Sequence, residues 1–109
     1  MTDNKQRLAD LRAELFERET KASASQERKG ELIQSISRMV GEQALDGVDH
    51  RARIEAAKAE LALVEGYLNT WPDVEQELNR RIGEAEQALN AERLETAKAR
   101  YTVLADLEA

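Results

Sequence analysis

The chain has 109 residues, with 22 acidic against 16 basic side chains, one histidine, no cysteine and a formal net charge of −6. These figures exclude disulfide scaffolds, thiol catalysis and cysteine-based zinc sites. A charged fraction of 35% with only 4% aromatics fits a coiled coil or long helix, and with no basic patch or stripe no nucleic-acid partner is expected.

From the N-terminus, Met1-Thr2-Asp3-Asn4-Lys5 leads directly into an amphipathic pattern with no apolar leader segment. Thr2 or Asp3 is placed to cap a helix. The first arm is expected over residues 3–43, with Leu8, Leu11, Leu15, Leu32, Ile36 and Met39 on one heptad seam. Its middle is weak: Arg18, Ala22, Ser25 and Lys29 hold seam positions where leucine packs better, and Gly30 and Gly41 lower helix propensity.

Residues 44–49 read as the turn. Asp46-Gly47 is a turn dipeptide because glycine accepts positive φ, and Asp49 can cap the helix that follows. Asp46, Asp49 and Glu55 lack the spacing and acidic density of a calcium loop, so no metal is expected. His50, the lone histidine, reads as exposed surface beside the cap.

The second arm is expected over residues 50–89, its seam formed by Ile54, Ala57, Leu61, Val64, Leu68, Trp71, Leu78, Ile82, Ala85 and Leu89. Folding the chain back at Asp46-Gly47 sets Met39 against Ile54, Ile36 against Ala57, Leu32 against Leu61, Leu15 against Leu78 and Leu11 against Ile82. Each rung joins an a to a d position, as an antiparallel coiled coil requires. The same register puts small Ala22 opposite Trp71 and Arg18 opposite Glu75.

Thr70-Trp71-Pro72-Asp73 matches a capping box that could start a new helix. The heptad nevertheless keeps its phase from Ile54 to Leu89 across the proline. A continuous helix kinked at Pro72 is therefore expected.

After Leu89 the apolar positions Leu94, Ala97, Tyr101 and Leu104 fall out of phase with the preceding heptads. Residues 91–108 are expected either to overhang as helix or to turn near Asn90 and fold back as a short third helix. Leu63, Tyr67 and Val74 form another apolar line beside the seam, and Ile33 and Val40 also lie off it. These stripes need a cover. Leu63, Tyr67, Val74, Leu94, Tyr101 and Leu104 are therefore the candidate protein interface, with a second protomer as the expected partner.

The fold class that follows is all-α: a single domain over residues 1–109, built as a long antiparallel hairpin. No phosphate loop, Ser/His/Asp set, HExxH motif or inward Glu-x-x-His pair occurs, so neither enzymatic activity nor a cofactor is expected. No apolar run approaches the roughly 18 residues of a membrane span. A soluble protein is expected, in the cytoplasm or in a particle assembled there.

Two resemblances accompany this reading. A polar helix, then Ala44-Leu45-Asp46-Gly47-Val48-Asp49, then a helix with a mid-point proline resembles the small coiled-coil proteins of phage and prophage gene clusters. That resemblance implies an assembly setting and no residue-level role. Trp71-Pro72-Asp73, and Ala99-Arg100-Tyr101 through Leu107-Glu108-Ala109, are similar in pattern to the tubulin-binding cofactor A family. This second resemblance implies an alternative, a chaperone-like or inhibitory binder of a client protein.

Overall fold

The computed structural model describes the backbone of residues 3–108 and the side chains of residues 3–101. Two α-helices account for nearly all of it: α1 over Asn4–Asp46 and α2 over Arg51–Glu108. Among the described residues there is no strand. The fold is the expected all-α antiparallel hairpin.

The helix ends are closed by the residues that the sequence offers for it. Asp3 accepts the Lys5 backbone N–H on its carboxylate at 3.1 Å, and its carbonyl takes the Arg7 N–H at 2.9 Å. Asp49 does the same for α2, accepting the Arg51 N–H at 3.1 Å. Each carboxylate satisfies a donor that the first helical turn leaves without an intrahelical acceptor. Gly47 ends α1 with φ of +69°, a left-handed value that only glycine adopts without a Cβ penalty.

The turn is tighter than expected. α1 continues through Ala44, Leu45 and Asp46, so only Gly47, Val48, Asp49 and His50 link the helices. The added helical turn follows from the left-handed glycine, which needs just one residue to stop the helix. His50 also departs from its expected place on the surface. Its side chain is only 12% exposed and meets the Glu42 carboxylate at 2.8 Å. The Gln43 side chain accepts the His50 backbone N–H at 3.0 Å, so the last turn of α1 caps the start of α2.

α2 passes through Pro72 without a break. Thr70 does not cap a new helix; its hydroxyl donates to the Tyr67 carbonyl at 3.0 Å inside the continuous one. Nor does the chain turn near Asn90. The stretch from Ala91 prolongs α2 as helix to Glu108.

Contacts divide the chain into two compact units, one taking the chain up to Phe16 together with the chain from Gln76, the other Glu17–Glu75. In the first, Leu8, Ile82 and Ala85 are buried, and Leu11, Leu15 and Leu89 pack against them. Arg12 reaches Glu86 at 3.1 Å on the flank of this seam. Leu11 and Ile82, opposite each other in the predicted register, belong to this one cluster.

In the second unit, Ala22, Leu32, Met39 and Ile54 are buried. Ile36, Ala57, Leu61, Val64, Leu68 and Trp71 are half-buried beside them. The weak centre of α1 carries an added tie. The Arg28 guanidinium forks onto both oxygens of Glu60, at 2.7 and 2.9 Å. Arg28 and Glu60 each precede an a position, and flanking positions of that kind face each other in an antiparallel pair.

Candidate protein interface

The six candidate residues separate into two groups. Tyr67 and Val74 sit half-buried on the flank of the Glu17–Glu75 unit. The Tyr67 hydroxyl donates to the Arg18 carbonyl at 3.4 Å, and the Lys21 ammonium lies 4.8 Å above the ring centre. A cation over the negative face of an aromatic ring is attracted to it. Tyr67 is therefore engaged within its own unit. Leu63, four residues before it and one helical turn away, is 77% exposed.

Leu94 and Tyr101 lie in the other unit and are 57% and 76% exposed. Seven residues apart, they stand two turns from each other on one face of α2. Every residue from Asn90 to Tyr101 is exposed. The cause is in the sequence. Continuing the seam beyond Leu89 leads to Glu92, Thr96 and Ala99, none of which offers a large apolar side chain. The Glu92 carboxylate instead accepts from the side-chain amide of Asn4 at 2.9 Å, at the first residue of α1. The Leu104 side chain lies outside the described residues.

Other apolar side chains stand open in the Glu17–Glu75 unit: Ile33 and Val40 one heptad apart on α1, and Leu45 and Val48 at the turn. Leu45 belongs to the segment that the sequence reads as turn, and the extra helical turn of α1 leaves it 87% exposed.

Charge on the helix surfaces is largely self-compensated. Glu77 receives both Arg80 and Arg81, and Arg80 also reaches Glu84. These guanidinium bonds, Arg80 first and then Arg81, pull the Glu77 carboxyl down to about 2. The Arg28 fork lowers Glu60, and Arg51 lowers Asp49 through side-chain and backbone bonds. Sequence reading missed the Arg28–Glu60 and Arg12–Glu86 ties. The signal was available, because each pair occupies matched flanking positions in the predicted register.

Among the described residues no three His, Asp or Glu side chains gather as a metal set, and no helix is long and apolar enough to cross a membrane. No protein-family model, curated protein or solved structure matches the chain. What the described residues present is a helical hairpin with large apolar side chains exposed on both helices.

Proposed function

We propose that this chain is a non-enzymatic coiled-coil assembly protein that acts through helix faces, binding copies of itself and another protein chain. Its proposed setting is that of the phage and prophage coiled-coil proteins that its pattern resembles. The observation that carries the reading is the exposure of Leu63, Leu94 and Tyr101 on α2. Large apolar side chains exposed on a helix and flanked by charge, as Leu94 and Tyr101 are on one face of α2, are what helix–helix association uses.

The test is sedimentation velocity with circular dichroism on the same samples. The wild-type chain is expected to sediment above monomer mass. Leu63→Glu combined with Leu94→Glu and Tyr101→Glu is expected to sediment as a monomer with unchanged helical signal. A wild-type chain that stays monomeric at all concentrations contradicts self-assembly. Loss of helical signal in the triple variant contradicts a surface role for these residues.

A further inference from the structure

Two adjoining grooves of about 440 and 450 Å³ run beside the seam where α1 begins, both lined by Lys5, Leu89 and Arg93. Leu8 and Ala97 extend the apolar floor, and Arg100 extends the basic wall along α2. The acids lining these grooves already have partners. Glu86 holds Arg12 at 3.1 Å, Glu92 holds the Asn4 amide at 2.9 Å, and Asp3 caps α1. The side chains of Lys5, Arg93 and Arg100 make no ion pair among the described residues. The sequence explains why: none of the three has an Asp or Glu three or four residues away along its helix. Going around α2 from the seam, Arg93 and Arg100 come first, then Ala97, then exposed Leu94 and Tyr101.

We propose that this face of α2 binds an acidic amphipathic helix of a partner protein, an inference that rests on the helix-face reading above. The partner's apolar stripe lies along Leu94, Ala97 and Tyr101. Its carboxylates, two turns or about 10.5 Å apart, meet Arg93 and Arg100. Self-association through Leu94 and Tyr101 sets this face against a different face of the second copy, because pairing with its own counterpart opposes like charges. Antiparallel pairing that sets Ala97 against the partner's Tyr101 also sets Arg93 against Arg100, and parallel pairing sets Arg93 against Lys98. A nucleic acid is a poor occupant, because its charged backbone has no apolar stripe to cover exposed Leu94 and Tyr101.

The probe is a set of three fluorescein-labelled synthetic helical peptides with one common leucine stripe and flanking positions filled by Glu, Gln or Lys. Fluorescence anisotropy with the full chain is expected to rank them Glu, Gln, Lys. Roughly tenfold separates the first from the last at low salt, the scale of two exposed ion pairs, and the gap narrows as salt is added. Arg93→Glu with Arg100→Glu reverses the ranking, with the helical signal confirming that the variant is folded. A ranking that survives the double reversal overturns the proposal, and so does the absence of binding by any peptide. Sedimentation separates this failure from failure of the wider reading. If no peptide binds but the wild-type chain self-associates and Leu94→Glu with Tyr101→Glu disperses it, only the acidic partner is wrong. If no peptide binds and the chain is a monomer, both fall.

Discussion

Single carboxylates in this chain are held by guanidinium groups, which gives its stability a defined pH dependence. Glu77 titrates at about 2 in the folded chain because Arg80 and Arg81 bond to it. An unfolded glutamate takes up its proton near ~4.3. Between those values the folded chain binds fewer protons than the unfolded one. The stabilisation is therefore complete above the unfolded value and is lost as pH falls toward 2. Glu60 and Asp49 are lowered in the same direction by Arg28 and Arg51. All of these groups are exposed, so the effect is small and screened by salt. The melting temperature of Glu77→Gln is expected to fall less steeply than that of wild type between about pH 4.5 and pH 2. The two curves should converge only below about pH 2, where wild-type Glu77 is also neutral. Parallel curves across that range would show that the Arg80–Glu77–Arg81 cluster contributes nothing.

At the scale of the helices, α2 carries the most local conflict, because Pro72 sits inside it without a backbone donor. The seam on both sides of the proline holds the helix together: Leu68 and Trp71 are half-buried on one side, and Leu78 is buried on the other. Pro72→Ala is expected to restore the missing bond and raise stability by about 1–3 kcal/mol, the lost proline penalty less the unfolded-state entropy that proline removes. Urea unfolding followed by circular dichroism measures it, and a drop in stability would mean that the proline is needed where it stands. The heptads made most of this legible. Seam residues from Leu8 to Leu89 are buried or half-buried as predicted, Arg18 excepted. What they could not give were the features set by side-chain reach: the Gln43 and Glu42 contacts that draw in His50, and the fork from Arg28 to Glu60. Periodicity reports which face a residue occupies, whereas these contacts depend on rotamers at the flank.

Taken as a whole, the chain separates what holds it together from what it offers outward. Residues up to Leu89 supply the paired seams, and beyond that point the apolar positions move to a face that the first helix does not cover. The exposure of Leu94 and Tyr101 was legible for the same reason that the seam was, since a break in heptad phase marks where apolar side chains leave the pair. Tyr67 and Val74 differ, both being half-buried, and for Tyr67 the cause is visible. Its contacts with Arg18 and Lys21 turn an expected interface residue partly inward, which spacing alone does not reveal.

Hydrogen exchange resolved along α2 tests the separation most directly. Isolated helix frays readily in water, whereas helix buried in a seam opens only with the fold. At high dilution, amides from Leu78 to Leu89 are expected to be strongly protected and those from Ala91 to Tyr101 to exchange fast. Protection of the second group should rise with protein concentration or on adding the acidic peptide. Strong protection of residues 91–101 in the dilute chain alone, equal to that of residues 78–89, would contradict the account.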